Sequence, residues 1–531
     1  MQQGSQKPFQ LAVQHRLEKL KKLLEKGEPC YRYRWPVSKL SQQIKQEYSW
    51  LAPGQEAEGE ESVAGRVLSL RRHGGIIFLD VLDQQGKLQV VARKDVLGEK
   101  FEEVAELYER GDIIGAAGPV IRTRRGEISL LAKKIVLLAK ALRELPHSWI
   151  GLEDPEVRYR QRYVDYIINE DARRAVFLRA RMLRALRSFL DEHGFLEVET
   201  PVLHPVYGGA LARPFETYYW ALDKKVYLRV SPELYLKRLL VAMYDRVYEI
   251  ARCFRNEDID RTHHPEFSML EFYAAYWDYK DMLEFFLQLL KHTAEEVIGG
   301  TSVKLGDKEI DLADPEIWEV PKKLEELSGI DVCSLDFEEL QKAALEIGIE
   351  EAKQASSWGE IVELLREKFL EPATAGKAVV MVLFPRDVSP LAKPWRKDVR
   401  WVERFEFYVN GMELANAYSE LNNPLDQYLR FQEQEALRRK ALEEGKFSEL
   451  HPMDKDFVRA LEYGMPPAAG CGLSLDRLLM VLGGYSSIRE VITFPLLRGE
   501  EKIEAVCELF PEAKELVRKI EEKVREAEQS R

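Results

Sequence analysis

The sequence predicts an α+β protein in which a small β-barrel precedes a larger domain, built on a mainly antiparallel sheet flanked by helices. Five short β-rich runs lie between residues 62 and 136 and are separated by turn signals such as Gly74-Gly75. Beyond residue 155, amphipathic helices alternate with single strands, which is typical of an α+β domain. The 531 residues, of which 45% are hydrophobic and 32% charged, suffice for two or three globular domains.

The barrel is predicted to be of the OB type, because a helix-like segment at 96–110 lies between its third and fourth strands. A basic amphipathic helix is predicted before it, at 10–26, and Pro53-Gly54 with the acidic run 56–61 predicts a linker. The five β-rich runs are 62–70, 76–81, 88–92, 113–120 and 128–136.

The larger domain is predicted to begin with a long helix at 172–193, which Gly194 ends, followed by a strand that Pro201 closes. The apolar face of this helix is predicted to contain Val176, Leu178, Met182, Leu186 and Leu190. Further strands are predicted at 226–230, 247–254, 267–275, 378–384, 405–409, 413–418 and 471–473. The predicted regions are a basic helical extension at 1–55, an OB-fold domain at 60–142, a catalytic domain at 155–498 and a helical tail at 499–531.

Bulk properties narrow the class of protein. No run of eighteen apolar residues occurs and the first eight residues are polar, so neither a transmembrane helix nor a secretory signal is expected. The five cysteines are scattered and never spaced as CxxC, which favours reduced thiols in a cytoplasm over a disulfide framework or a zinc site. The net charge of −12 does not exclude an RNA partner, because the stretch 14–45 is locally basic.

A first polar cluster spans residues 252–257 and 262–267, where two predicted strands flank a loop crowded with arginine, glutamate and histidine. An arginine such as Arg255 is suited to bridging a carboxylate and a phosphate during ATP-dependent activation of an acid. Phe267 is suited to covering an adenine face. A hairpin held by surface ion pairs gives the same pattern, so that interpretation stays open.

A second cluster contains several carboxylates on two predicted neighbouring strands. Glu406 and Glu413 are predicted to face one cleft, and carboxylates with no base between them suit Mg²⁺ ions that bridge triphosphate oxygens. Asn416, Tyr418 and Glu420 are predicted to line its floor. An edge strand with outward charges is the alternative interpretation.

The third cluster is a glycine-containing strand that leads into an apolar helix. Gly470 and Gly472 permit close approach of the backbone to a ligand, and Arg477 in the first helical turn is placed to reach a γ-phosphate. Ordinary loop chemistry explains such a segment equally well. The sequence has neither a GxxxxGK[ST] loop nor a GxGxxG turn after a strand, so ATP is not expected to be held by those devices.

Taken in order, these segments resemble the motifs of class II aminoacyl-tRNA synthetases. Motif 1 matches the helix and strand up to Pro201, motif 2 matches residues 254–267 and motif 3 matches residues 470–477. The similarity extends over roughly Arg16 to Arg498. Segments that resemble the lysyl enzymes of subclass IIb are 158–165, 208–215, 232–238, 384–393 and 418–422.

The resemblance implies a lysine-activating ligase that uses ATP and Mg²⁺. ATP would be held by Arg255, Glu257, His263, Phe267, Glu406, Glu413 and Arg477, with Arg255 and Arg477 as the catalytic pair and Glu406 and Glu413 as the metal ligands. The lysine pocket would be lined by Gly209, Glu233, Arg255, Glu271, Tyr273, Asn416, Tyr418 and Glu420. A lysine ε-ammonium needs anionic partners when buried, which Glu271 and Glu420 would supply.

The OB segment is similar to the anticodon-binding domain of the same subclass. By this resemblance Arg71, Phe78 and Gln89 would read the anticodon, through base stacking and an amide contact to a base edge. For Phe78, a place in the barrel core is the alternative. The resemblance further implies tRNA(Lys), L-lysine and ATP as partners, a homodimer formed through motif 1, a cytoplasmic location and no membrane association.

Two departures from the family pattern stand out. Gly75 occupies a position where the family usually has lysine, and Asn423 replaces an aspartate. A divergent lysyl paralogue with an altered amino acid or acceptor is therefore an open alternative.

Three other interpretations make different predictions. An enzyme for aspartate or asparagine typically has glutamine where this chain has Glu233. A non-catalytic tRNA-binding paralogue would lack Arg255, Glu413 or Arg477, all of which are present. A protein-lysylating paralogue would usually lack the OB domain.

Overall fold

The structure, a computed structural model, describes residues 3–146, 154–210, 212–443, 452–499 and 503–529. Leu211, in the lysyl-type segment 208–215, and the outer ends of the predicted extension and tail lie outside the described residues. The chain divides into two compact units, Met1–Leu152 with Arg498–Arg531, and Glu153–Leu497. The predicted fold class is confirmed.

The first unit contains a seven-stranded sheet with the order β5-β6-β3-β2-β1-β4-β7. Its strands are β1 (Glu61–His73), β2 (Ile76–Leu82), β3 (Lys87–Arg93), β4 (Ile113–Gly118), β5 (Val120–Arg122), β6 (Ile128–Leu131) and β7 (Lys134–Ala139). Its helices up to residue 152 are α1 (Gln3–Glu25), α2 (Ser41–Glu47), α3 (Lys94–Leu97) and α4 (Glu99–Leu107). Ile77 and Leu79 of β2 point into the core and pack in one cluster with Phe101 and Val104 of α4.

Residues 60–142, all of which are described, contain seven strands rather than the five that the sequence predicts. The fourth predicted run divides into β4 and β5 at Pro119, which has no N–H to donate to a ladder. Gly118 allows the bend, because a Cβ there would stand 2.0 Å from the Leu131 carbonyl oxygen. The chain thereby changes partners, since β4 pairs with β1 and β7 whereas β5 pairs with β6.

The second unit is built on an eight-stranded sheet with the order β16-β17-β18-β19-β20-β13-β12-β8. All neighbouring pairs are antiparallel except the two at the edges, β16 with β17 and β8 with β12. The strands are β8 (Leu196–Glu197), β9 (Leu203–His204), β10 (Glu216–Tyr219), β11 (Lys224–Leu228), β12 (Arg246–Phe254), β13 (Glu266–Ala275), β14 (Ser302–Leu305), β15 (Lys308–Asp311), β16 (Glu316–Glu319), β17 (Ala378–Pro385), β18 (Trp401–Val409), β19 (Met412–Ser419) and β20 (Ala468–Ser474).

Helices of the second unit surround this sheet. They are α5 (Pro155–Arg160), α6 (Arg162–Ile168), α7 (Glu170–Glu192), α8 (Glu233–Val241), α9 (Tyr279–Ile298), α10 (Val320–Ser328), α11 (Phe337–Glu346), α12 (Trp358–Leu365), α13 (Glu371–Ala373), α14 (Pro424–Glu443), α15 (Lys455–Glu462), α16 (Leu475–Gly483) and α17 (Ile488–Val491). Leu186 of α7, Phe286 of α9 and Leu479 of α16 belong to one buried cluster with Phe272 and Phe407 of the sheet. These three helices therefore cover one face of the sheet.

The predicted apolar face of α7 is confirmed except at one position. Leu178, Met182, Leu186 and Leu190 are buried, but Val176 is 42% exposed. The 3.6-residue period places Ala175 in the buried stripe and turns the following residue outward, so the prediction for Val176 is wrong.

The C-terminal segment, for which the sequence predicts only a charged helical tail, belongs to the first unit. It contains α18 (Val506–Leu509) and α19 (Leu516–Gln529). Ala513 and Leu516 are buried in the same cluster as Leu17 and Leu20 of α1. Among the described helices, none combines the length and the apolar character that crossing a membrane requires.

Candidate active site

One cavity of about 360 Å³ lies on the face of the eight-stranded sheet opposite α7 and α9. The two-residue repeat of strands explains its composition. In β13, Phe272 and Ala274 enter the helix-covered core, whereas Glu271 and Tyr273 line the cavity. In the same way, β19 sends Asn416 and Tyr418 to the cavity, and β20 contributes Gly470 and Gly472.

The cavity contains most of the residues that the sequence predicts for a functional site. Those that line it are Gly209, Glu233, Arg255, Glu257, His263, Phe267, Glu271, Tyr273, Glu413, Asn416, Tyr418 and Arg477. The lining does not include Glu406 or Glu420, both of which are buried behind it.

Arginines dominate one end of the cavity. The guanidinium of Arg255 lies over the Phe267 ring, with Cζ 5.0 Å from the ring centroid. Arg477 donates from Nη1 to the Glu413 carbonyl oxygen at 2.7 Å and from Nη2 to His263 Nε2 at 3.0 Å. Two fixed guanidinium groups in one cavity make this end suited to phosphate and carboxylate oxygens.

The position of Arg477 depends on a buried neighbour that sequence reasoning missed. Asp476 is fully buried, accepts a hydrogen bond from the Ser268 N–H at 2.7 Å and forms an ion pair with Arg179 of α7. These contacts fix the first turn of α16 to β13 and to the motif 1 helix. One signal for Asp476 is visible in the sequence, namely a carboxylate in the first turn of an otherwise apolar helix.

The other end of the cavity is a recess rich in carboxylates. Glu271 accepts hydrogen bonds from Ser231 Oγ at 2.7 Å and from Tyr273 OH at 3.0 Å. Its burial, together with the nearby Glu233 carboxylate, raises the pKa of Glu271 to about 8. Glu233 accepts a hydrogen bond from Tyr418 OH at 2.5 Å. These carboxylates have lost their water on burial, and a bound cation would stabilise their ionised form in its place. The recess therefore attracts cations.

Glu420 lies immediately behind Gly470, which forms part of the wall of this recess. A Cβ on Gly470 would lie 2.4 Å from Glu420 Oε1, so only glycine leaves that oxygen unobstructed. Burial raises the pKa of the Glu420 carboxyl to about 8, although Lys237 opposes the shift. Glu420 is thus a neighbour of the recess rather than part of its open surface.

Lys237, which lies within the lysyl-type segment 232–238, is a further charged residue of the recess that the sequence pattern did not single out. Its ammonium is fully buried, 2.6 Å from Glu233 Oε1 and 2.5 Å from Glu420 Oε2. The available signal was the four-residue spacing of Glu233 and Lys237, which places both on one face of a helix.

Gly209 closes the recess from a loop. Its backbone has φ +89°, and a Cβ would lie 3.0 Å from Ser231 Oγ and 3.1 Å from Glu233 Cβ. Both the conformation and the space therefore require glycine.

The two predicted metal ligands have different surroundings. Glu413 lines the cavity, and its loss of hydration together with the Glu406 charge raises its pKa to about 7. Glu406 is buried, ion-paired with Arg404 and hydrogen-bonded by Tyr408 OH at 2.7 Å. Arg366 approaches Glu406 to 3.9 Å, so a buried basic network, invisible in the sequence, holds this carboxylate.

The charge of a divalent cation suits Glu406 and Glu413. It would offset the repulsion between the two carboxylates, which raises the pKa of Glu413. In the described part of the chain, no group of three or more histidine, cysteine, aspartate or glutamate side chains is placed to hold a metal ion. A cation here would therefore need further oxygen ligands from its substrate.

In the first unit, the three predicted RNA-reading residues lie on one face of the sheet. Arg71 pairs directly with Phe78, and Gln89 pairs with Asp80 two residues further along β2. Phe78 is half-buried, with its neighbours Ile77 and Leu79 in the core, so Phe78 faces away from the core. Arg71 is exposed and ion-paired with Asp80 at 3.1 Å.

Comparison with known families agrees with this architecture. A family model described as tRNA synthetases class II (D, K and N) matches residues 154–498. A model described as OB-fold nucleic acid binding domain matches residues 61–138. The fold, the cleft and these matches define a class II tRNA synthetase with an OB-fold nucleic-acid-binding domain.

Several similar proteins are named lysine–tRNA ligase. The protein from Carboxydothermus hydrogenoformans is 44% identical over 92% of this chain and 98% of its own length. That from Methanoculleus marisnigri is 43% identical over 91% of this chain and 94% of its own length, and that from Aquifex aeolicus is 46% identical over 83% and 73%. The chain belongs to the lysine–tRNA ligase family.

A glycine substitution tests the shape of the recess. Gly470→Ala is expected to lower the free energy of unfolding by about 1–3 kcal/mol, because its Cβ would lie 2.2 Å from Tyr273 Cε1. Gly472→Ala is the matched control on the same strand and face, since its Cβ would meet the flexible Met269 Cε at 3.1 Å. Urea denaturation of both variants measures the difference, and equal stabilities would contradict the packing described.

Proposed function

We propose that the chain is an ATP-dependent lysine–tRNA ligase that works in two steps at this cavity. The single observation that carries the proposal is the continuity of a carboxylate-rich recess with a pair of arginines in one cavity. A recess of buried carboxylates selects an ammonium side chain, and the arginines hold phosphate and carboxylate oxygens beside it.

In the first step, the lysine carboxylate attacks the α-phosphate of ATP and pyrophosphate leaves, which yields lysyl-adenylate. Arg255 bridges the carboxylate and the α-phosphate, and Arg477 binds the γ-phosphate. Phe267 covers the adenine, while Glu257 and His263 complete the nucleotide site. Fixed guanidinium groups stabilise the developing charge without reorganising, so no side chain is required as a general base.

Lysine recognition uses the carboxylate end of the cavity. Glu271 with Tyr273 and Glu420 with Tyr418 surround the ε-ammonium, and Glu233 lies near the α-ammonium. Asn416 and Gly209 complete the pocket. A shorter or uncharged side chain would leave buried carboxylates without a cation, which lowers its affinity.

Mg²⁺ is proposed to bind at Glu413 and Glu406. The cation supplies positive charge to the phosphate oxygens of ATP when it is bound. The buried Arg404 and Tyr408 hold Glu406 in one orientation.

In the second step, the 3′ ribose hydroxyl of tRNA(Lys) takes the lysyl group and AMP leaves. The OB-fold domain is proposed to read the anticodon with Arg71, Phe78 and Gln89. The half-buried ring of Phe78 supports this role, because an exposed ring face is what base stacking requires.

A homodimer through the motif 1 elements and a cytoplasmic location complete the proposal. Leu196 and Phe177, both in these elements, are 51% and 42% exposed, which supports a surface that a second copy covers. All five cysteines are free, as is typical of a reducing compartment.

Lysine-dependent ATP–pyrophosphate exchange tests the function and the pocket together. Glu271→Gln is expected to raise the KM for lysine at least about tenfold and to leave the KM for ATP within about twofold, because a neutral amide no longer balances an ammonium. Equal losses for the two substrates would exclude Glu271 from the lysine pocket. Exchange with aspartate alone would refute the function.

The raised pKa values predict a pH dependence of lysine binding. Glu271 and Glu420 each have a pKa of about 8, so both are largely protonated at pH 7 and must lose protons when an ammonium binds. The KM for lysine is therefore expected to fall as pH rises from 6.5 to 8.5, by up to about tenfold per pH unit for each proton released. Initial exchange rates measure it, with the KM for ATP as control, and a flat profile would contradict the prediction.

A substitution in the first unit tests the proposed role of Phe78 in reading the anticodon. Phe78→Ala is expected to reduce kcat/KM for tRNA charging about tenfold, because a stacking contact is lost, while lysine-dependent exchange stays unchanged. Val96→Ala, at a side chain 37% exposed on α3, is the control for loss of exposed apolar surface. Unchanged charging by Phe78→Ala would remove this residue from anticodon reading.

A further inference from the structure

Lys237 occupies an unusual position at the back of the recess. Its side chain is fully buried on α8, and its ammonium lies 5.3 Å from the centroid of the Tyr418 ring and 5.9 Å from that of Phe457. Glu233 and Glu420 are its two anionic partners. The recess that is proposed to receive an ammonium therefore already contains one.

Packing alone does not require a charge at this position. Leu236 and Leu240 on the same helix are fully buried, and an apolar side chain of similar volume would fill the space. Replacing buried ion pairs by apolar residues is often neutral or stabilising in other proteins. The ammonium of Lys237 is therefore better explained by what it does to its carboxylate partners.

The charge count of the recess gives that explanation. Once lysine binding has released their protons, Glu233, Glu271 and Glu420 contribute three negative charges, and Lys237 contributes one positive charge. The remaining charge is −2. Free lysine brings two ammonium groups, while its carboxylate is proposed to bind Arg255.

We propose that Lys237 is a positioning and specificity-determining residue, which anchors Glu233 and Glu420 and sets the recess charge to match a substrate with two ammonium groups. The inference rests on the proposed lysine pocket and adds a role for a residue that does not itself line the cavity.

The geometry supports the anchoring role. Lys237 Nζ forms an ion pair with Oε2 of Glu420 at 2.5 Å, whereas Oε1 is the oxygen that stands beside Gly470. Oε1 of Glu233 receives both Lys237 and Tyr418 OH. One oxygen of Glu420 is thereby held in place while the other is directed to the recess.

A double-mutant cycle tests the charge match. Lys237→Met leaves a recess charge of −3, Glu420→Gln leaves −1, and the two changes together restore −2. The KM for lysine in exchange is expected to rise at least about tenfold in each single variant, and the double variant is expected to bind lysine better than either. The KM for ATP is expected to stay within about twofold throughout.

A substrate analogue separates charge matching from simple repair of an ion pair. 6-Hydroxynorleucine has one ammonium group instead of two. The ratio of its inhibition constant to the KM for lysine is expected to fall at least about fivefold in Glu420→Gln and to recover in the double variant. A purely structural ion pair would leave the ratio in the double variant equal to that in Glu420→Gln.

Lys140→Met is the matched control. Lys140 is also buried and paired with two carboxylates, Asp112 and Glu109, each at 2.8 Å, but it lies in the other unit. It is expected to lower stability without changing the KM for lysine. If Lys237→Met does not fold, the KM for lysine and the analogue ratio are compared between Glu420→Gln and the double variant alone.

Two results would overturn the proposal. One is an analogue ratio in the double variant that does not recover from its value in Glu420→Gln. The other is a double variant that binds lysine no better than the weaker single variant. If Glu271→Gln left the KM for lysine unchanged, the proposed lysine pocket itself would be refuted. Failure of the lysine pocket and failure of the role of Lys237 are therefore distinguishable.

Discussion

The alternation of side chains along three adjacent strands is the constraint on which the rest of the catalytic unit depends. In β13, β19 and β20, one set of residues is buried beneath α7, α9 and α16, and the other set forms the floor of the cavity. A one-residue slip would exchange the two sets, placing carboxylates in the apolar core. The core that stabilises the sheet therefore also fixes the site.

Buried charge is the second organising feature, and it is balanced differently at the two ends of the cavity. Around Glu406, two arginines and a tyrosine keep a carboxylate ionised, and its pKa is lowered. In the recess, Lys237 is paired with only two of the three carboxylates, and the pKa values of Glu271 and Glu420 are raised. The first arrangement is internally neutralised, whereas the second leaves a negative charge for a ligand.

Long elements with strong patterns were predictable from sequence. The helix at 172–193 corresponds to α7, and the strand at 247–254 corresponds to β12, because hydrophobic periodicity over many residues constrains the assignment. Val176 was misplaced because the period alone does not say where the stripe ends. The division of two barrel strands was missed because a change of pairing partner is a property of the sheet rather than of the run.

The sequence by itself determined the family, the order of the two domains and the residue types of the site, since ordered motifs carry that information locally. Only the tertiary structure decided which side chains meet. It placed Glu420 behind Gly470, paired it with Lys237 of α8, and surrounded Glu406 with Arg366 and Arg404. Apart from Arg404, which lies two residues before Glu406, the partners are far apart in the chain. The strength of each contact depends on burial, which a linear pattern does not specify.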